Sequence, residues 1–324
     1  MKPGETTALG PLRIGVSACI LGELVRFDGQ HKLDRFVRDT LGQYVEFVPV
    51  CPEVELGLGV PRETVRLEDD GTTVRMIAPK SGTDHTASMS SFARRRVAEL
   101  EELGLCGYVL QKGSPSCGME RVRIYPSSGG PPRRNGRGLF AQTLSELLPD
   151  LPMEEDGRLN DIRLRENFIE RIFAFRRLRA LFSGRWRTGD LVAFHAQEKL
   201  LLLAHDPPTY RELGRLVANA KATPRAELSR DYQHLFLLGM KRQATTRKHT
   251  NVLQHMAGYF KRVLDSADRA ELVEVIERYR LGYVPLVVPL TLLNHFLRRH
   301  PIPYLEQQSY LRPHPEELML RNHV

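Results

Sequence analysis

Long apolar runs are missing from this 324-residue chain: none reaches the roughly 18 residues that a membrane-spanning helix requires. The opening MKPGETTALGPL has no apolar core of the kind a secretory signal carries, so a cytoplasmic location is expected. Cysteine is scarce, with four residues at 19, 51, 106 and 117. No two of them form a CxxC pair or stand in the Cys/His spacing usual for zinc sites. In a reducing compartment such cysteines point to metal binding or catalysis rather than to disulfides. No internal repeat is present. Apolar content of 41% and charged content of 27% are ordinary for a soluble globular protein. The charge is unevenly spread. Residues 1–160 hold 20 Lys/Arg against 22 Asp/Glu, a net of −2, whereas residues 161–324 hold 27 against 17, a net of +10. That asymmetry suggests either a polyanion partner for the second half or a solvated helical surface.

The first half alternates strand and helix signals. RIGVS, VEFVPV and GYVLQ are short apolar runs near 13–18, 45–50 and 107–111, and each reads as a buried strand. Between them, 33–44 reads as a short amphipathic helix, 64–77 as a hairpin about Asp70–Gly71, and 84–104 as a helix stopped by Gly104. Residues 126–138 have loop composition, 139–151 read as a closing helix, and 154–161 as the join to the second half. The βαβ rhythm predicts an α/β domain over 1–160 with a mainly parallel, Rossmann-like sheet. The second half shows no strand rhythm. Apolar residues recur at helical spacing in 164–184, and further helical stretches, punctuated by prolines, follow to residue 299. An all-α domain over 161–324 is predicted, with the proline-rich tail wrapping it as irregular structure.

Cys19, Cys51 and Cys117 each follow a strand-like run. Parallel strands present their carboxyl ends on one edge of the sheet, where open α/β folds place their sites. Three soft ligands converging there suggest a metal or iron–sulfur centre. A four-iron cluster held by three thiolates leaves one iron free to act as a Lewis acid. Cys106 opens the third strand at its other end and reads as a core residue. Glu53, two residues after Cys51, falls on the same side as that thiol along an extended segment and suits a general base. Ser114 and Ser116, in KGSPSC, could donate to a substrate oxygen or orient a water, or could serve only the turn about Pro115.

Basic and amide groups form two further sets. Arg26, Asp28 and Lys32 in VRFDGQHK, with Arg62 in VPRETVRL, could bind a phosphate or a base edge, or form solvated turns. In ATTRKHTNVLQHMAGYFKR, Lys248, His249, Asn251, His255 and Arg262 combine positive charge with amide and imidazole donors. If that segment is helical, positions 248, 251, 255 and 262 fall near one face, a plausible phosphate-contacting stripe.

IGVSACILGELVRFDG, VPVCPEVELGLGVPRETVRL and KGSPSCG together resemble the thiouracil desulfidase family over about residues 12–160. KHTNVLQHMAGYFKR, YVPLVVPLTLLNHFL and the closing LMLRN resemble the YbgA-like helical domain over about 162–324. The combination is similar to the two-domain, RudS-type desulfidases that act on thiolated uridine in tRNA. This resemblance implies a [4Fe-4S] cluster on Cys19, Cys51 and Cys117, with Glu53 and Ser114 as the catalytic carboxylate and serine. It implies hydrolytic, non-redox removal of sulfur from thiouridine, 4-thiouridine in the first instance, giving uridine and hydrogen sulfide. The basic helical domain would then grip tRNA, and neither DNA nor a membrane is expected as a partner. Action on free thiouracil or thionucleotides is the alternative, and a non-catalytic cluster-bearing sensor is a third reading. Gln30, where Gly is more usual, and the extra Cys106 depart from the family pattern without touching a proposed ligand.

Overall fold

The computed structural model describes residues 11–324. It divides into two compact units, one running to Asn160 and the other from Asp161 to Val324. The N-terminal segment expected to carry no signal core lies almost wholly outside the described residues. No helix among the described residues is long and apolar enough to cross a membrane.

In the first unit the strands are β1 (Arg13–Ser17), β2 (Glu46–Val50), β3 (Arg66–Asp69), β4 (Val74–Ala78), β5 (Thr83–Asp84), β6 (Gly107–Leu110), β7 (Val122–Pro126), β8 (Arg133–Gly136) and β9 (Met153–Glu155). Its helices are α1 (Pro52–Glu55), α2 (Thr86–Glu102) and α3 (Leu139–Leu147). The central sheet has the order β2-β1-β6-β9 and is parallel throughout, as the α/β reading requires. Both faces of such a sheet are covered, so its strands are apolar runs: Ile14, Val16, Tyr108 and Val109 have no solvent exposure. A Cβ on Gly15 would lie 2.2 Å from the Tyr108 ring, so glycine there lets the ring lie flat across β1.

Three local expectations are corrected. The 33–44 segment is not a regular helix but a wide turn at Phe36–Thr40 followed by a tight one at Leu41–Gln43. This irregular path buries Val37 and Leu41 completely while setting Gly42 against Phe47 before β2 starts. The supposed loop 126–138 contains β8, which pairs with β7 at the edge of a second, mixed sheet of order β5-β4-β3-β7-β8. Its arginines hid it, because exposed edge strands carry charge where buried ones carry apolar side chains. The supposed join 154–161 begins with β9, the fourth parallel strand. Its acidic residues are buried because their carboxylates are in use: Glu154 pairs with Arg158 at 2.6 Å, and Glu155 accepts the Met119 N–H at 2.8 Å.

The second unit contains α4 (Ile162–Phe182), α5 (Thr188–His205), α6 (Pro207–Ala218), α7 (Arg225–Lys241), α8 (Thr246–Tyr259), α9 (Ser266–Arg280), α10 (Val287–Arg299) and α11 (Pro303–Glu306), and no strand among its described residues. Side-chain caps start three of them: Asp161 accepts the Arg163 and Leu164 N–H groups, Thr245 that of Lys248, and Asp265 that of Asp268. One core joins the helices, with Leu178, Leu201, Tyr232, Phe236, Leu253 and Phe296 among its buried members. The tail after α11 is short helical turns and is tied into this unit by charge. Arg321 donates to Glu170 at 2.9 Å and to the Tyr310 carbonyl at 2.6 Å, and Glu170 also takes a hydrogen bond from His205 at 2.8 Å. Burial opposes the charge on Glu170, but His205 and Arg321 together hold its carboxyl well below the ordinary range.

Burial pushes His249 down to about 3, and His195 and His314 to about 4, from an ordinary 6.5. These groups are neutral in the folded chain and take up protons once it unfolds, so their contribution to stability falls as pH drops below 6.5. Glu166, pushed up to about 8 by burial and by Glu170, acts in the opposite sense over part of that range. The three imidazoles outnumber it, so these groups together make the fold less stable as pH falls through 6 toward 5. Urea unfolding followed by helical circular dichroism should show the midpoint dropping from pH 7 to pH 5. A flat midpoint would show that these imidazoles are already charged in the folded state.

Candidate active site

Because β1 lies between β2 and β6 in parallel register, Ser17 opposite Val50 and Val16 opposite Val109, three carboxyl ends are neighbours. Cys19 sits in the tight turn that follows β1, Cys51 ends β2 and precedes α1, and Cys117 lies in the loop after β6. All three line one cavity of about 220 Å³, together with Arg26, Glu53, Arg62 and Ser114. None is in a disulfide. Cys106 is buried at the other end of β6 and does not reach the cavity.

The thiols resist ionising in one another's presence. Burial and then the neighbouring Cys51 push Cys19 up to about 12, while the charge of Arg26 pulls the other way. Burial pushes Cys117 well above its ordinary value, against a hydrogen bond with Ser17, and Cys19, Glu53 and Cys51 add to the rise. Cys51 is raised by burial and by Glu53. Three thiolates in one buried pocket therefore need a cationic group between them. A sulfur-only donor set suits a soft centre such as iron–sulfur and not the hard ions that oxygen ligands hold.

Glu53 stands in the first turn of α1, held on both oxygens. Oε2 accepts from Arg62 Nε at 2.9 Å and Nη2 at 2.7 Å, and Oε1 accepts from the Ser116 hydroxyl at 2.6 Å. The remaining guanidinium nitrogen, Nη1, donates to the carbonyls of Val25 at 2.9 Å and Gly59 at 3.0 Å. The side chains of Arg62 and Glu53 are only 5% and 12% exposed, so this pair is a fixed part of the wall. Ser116 is completely buried.

Ser114 is placed differently from Ser116. Its Oγ accepts the N–H groups of Ser116 at 3.1 Å and Cys117 at 3.0 Å, which fixes the turn that delivers the third thiol. Its own O–H remains to donate, and the residue lines the cavity. The same turn is pinned from outside by the start of α3, whose Phe140 and Ala141 N–H groups donate to the Ser116 carbonyl. Gly138 permits that contact: a Cβ there would lie 2.4 Å from the Ser116 carbonyl oxygen.

The remaining sequence candidates separate. Arg26 lines the cavity and pairs with Asp28 at 3.4 Å. Lys32 donates its backbone N–H to the Cys19 carbonyl, but its side chain lines an adjoining groove. In the helical unit the expected phosphate stripe breaks up. His249 is buried and bonded to the Tyr310 hydroxyl at 2.9 Å, and Lys248 Nζ donates to the carbonyls of His205 and Gln243. Burial corrects the reading of His249 as a phosphate contact, and Lys248 spends two of its three N–H donors on carbonyls of the fold. Asn251, His255 and Arg262 are exposed. Sequence reasoning missed Ser17 and Asp156. Asp156 Oδ1 accepts the Lys112 N–H at 2.8 Å, and its charge adds to the rise of Cys19. The run EED gives no sign of this, because only the pairing of β9 with β6 brings the following Asp156 within electrostatic reach of Cys19.

Comparison with known proteins agrees with the resemblance in both halves. A family model described as 2-thiouracil desulfurase matches residues 14–156, and one described as a protein of unknown function (DUF1722) matches 199–315. The uncharacterized protein YbgA of Escherichia coli (strain K12) is 33% identical over 165 residues, which cover 51% of this chain and 98% of that protein. The solved structure of the [4Fe-4S]-dependent thiouracil desulfidase TudS is 30% identical, covers 49% of this chain and 99% of its own, and superposes with a TM-score of 0.38. The chain thus belongs to the family in which a 2-thiouracil desulfurase domain is followed by a YbgA-like DUF1722 domain.

Proposed function

We propose that this protein removes sulfur from a thiolated uracil base by hydrolysis, with a [4Fe-4S] cluster held by Cys19, Cys51 and Cys117. The observation that carries this reading is the single cavity in which three thiols meet a carboxylate fixed by Arg62 and Ser116. Bound by these three cysteines, the cluster would supply a Lewis acid beside Glu53 and Ser114.

The chain's own groups divide the remaining work. Oε2 of Glu53 is fully engaged by the two Arg62 donors, but Oε1 accepts only from Ser116, so its second lone pair can take a proton from water while all three bonds are kept. Arg62 and Ser116 fix the direction in which that lone pair points. Ser114, whose oxygen is already an acceptor for two N–H groups, offers its O–H to the water or to the base. Water oxygen replaces sulfur on the ring carbon, the carbon–sulfur bond breaks, and the two protons of water leave with sulfur as hydrogen sulfide. No electron is gained or lost. A carboxylate in the cavity favours an enzyme over a sensor, since a sensing cluster has no use for a base.

The substrate we assign is thiouridine within tRNA, 4-thiouridine first. The support is the net charge of +10 over residues 161–324, because phosphate contacts dominate nucleic-acid affinity. Anaerobically prepared protein incubated with bulk tRNA should lower the thiolated nucleosides seen by mass spectrometry. Unchanged tRNA alongside desulfurated free thiouracil would move the assignment to free bases.

Cys51→Ala should lose the iron, and iron at wild-type stoichiometry would remove Cys51 as a ligand. Glu53→Gln should keep the iron and slow turnover by about a hundredfold or more. Wild-type turnover in that variant would remove Glu53 from the mechanism. The two serines should part company. Ser114→Ala strips two N–H groups of their acceptor, at about 1 to 3 kcal/mol, and should lower both the melting temperature and iron retention. Ser116→Ala should keep the iron and lose activity. Identical behaviour of the two variants would refute the division of roles.

A further inference from the structure

A second groove, of about 590 Å³, adjoins the cysteine cavity in the first unit and shares Val65, Gly113 and Pro115 with it. Although residues 1–160 carry a net charge of −2, this groove collects Lys32, Lys112, Arg121, Arg123 and Arg134. No ion pair engages any of these five among the described residues. The acidic groups in the wall are occupied: Glu120 pairs with Arg158 at 2.9 Å, and Glu155 accepts the backbone N–H groups of Met119 and Glu120.

Two features are unfavourable for the fold alone. Arg123 on β7 stands directly opposite Arg134 on β8. Like charges at opposed positions of an antiparallel pair destabilise the sheet unless an anion lies between them. Arg121 adopts φ of 55°, a left-handed conformation that costs free energy for any residue with a Cβ. Such strain marks places where a side chain is held for a task. Beside them the Tyr125 ring carries the Arg66 guanidinium 4.9 Å from its centroid, a flat surface of the kind bases stack on.

We infer that this groove holds backbone phosphates of the RNA strand whose thiolated base enters the cysteine cavity. Five uncompensated cations and a volume well beyond that of the neighbouring cavity suit several phosphates in a run rather than one. The inference rests on the proposed desulfidase reading for the base, but not for the phosphates. It also gives the catalytic unit its own grip on RNA, independent of the basic charge of the helical unit.

The test uses the full-length protein, prepared anaerobically with its cluster. Fluorescence anisotropy with an unmodified single-stranded oligoribonucleotide gives Kd across a salt series. Arg123→Ala/Arg134→Ala should weaken binding about tenfold and make the slope of log Kd against log salt shallower by about 1.4. Arg123→Lys/Arg134→Lys, which keeps the charge, should restore both. Arg121→Gly should also weaken binding while leaving the melting temperature at or above that of the wild type, because glycine accepts the left-handed backbone. Wild-type Kd and slope in the double alanine variant would overturn the inference, as would a double lysine variant as weak as the alanine one. Turnover separates the source of the phosphate. In the double alanine variant, loss of kcat/KM on a thiouridine oligonucleotide should exceed that on 4-thiouridine monophosphate at least tenfold. Equal losses would mean a single phosphate and overturn the strand. If the wild type desulfurates nothing yet the variants lose RNA binding, the desulfidase reading fails and the groove stands.

Discussion

Charge balance in one buried pocket governs this protein's first unit. Cys19, Cys51, Cys117 and Glu53 share a cavity, and burial together with neighbouring negative charge raises all three thiols above their ordinary range. Such a grouping is stable only as thiols or around a cationic centre. The surrounding structure is arranged to hold the groups together regardless. The parallel register of β2, β1 and β6 sets the three chain reversals side by side, and the start of α3 locks the last of them. Arg62 and Arg26 bring positive charge to the wall, one directed at the carboxylate and the other felt by Cys19.

The cavity also separates jobs between residues that look alike. Two serines lie two positions apart, yet one hydroxyl holds the backbone of the cysteine turn and the other holds the carboxylate. The loop carrying Arg62 is similarly double in purpose, since the guanidinium orients Glu53 and ties down the carbonyls of Val25 and Gly59. Removing one such residue disturbs both a reacting group and a chain path, so iron content and turnover must be measured together.

The helical unit solves its own charge problem by burying it. Glu170, His205 and Arg321 form a closed set that fastens the tail, and buried neutral histidines fill the space nearby. Residues that suggested a nucleic-acid stripe, Lys248 and His249, belong to this internal bonding. Positive charge gathers on other residues instead, and one concentration of it lies beside the cysteine cavity in the unit whose net charge is negative.

The sequence by itself determined the strand–helix alternation, the parallel central sheet, the helical second half and the three thiols as one set. Buried parallel strands are continuous apolar runs, and a cysteine at the end of each is visible without coordinates. It did not reveal β8 or β9, because an exposed arginine-rich edge and a buried acidic strand both break the pattern by which strands are recognised. It placed Glu53 near the thiols but could not say that Arg62 and Ser116 hold it, since those partners are 9 and 63 residues away. Nor could it set Arg123 against Arg134. Cross-strand register is a property of the folded sheet, and so is the accumulation of positive charge that register produces.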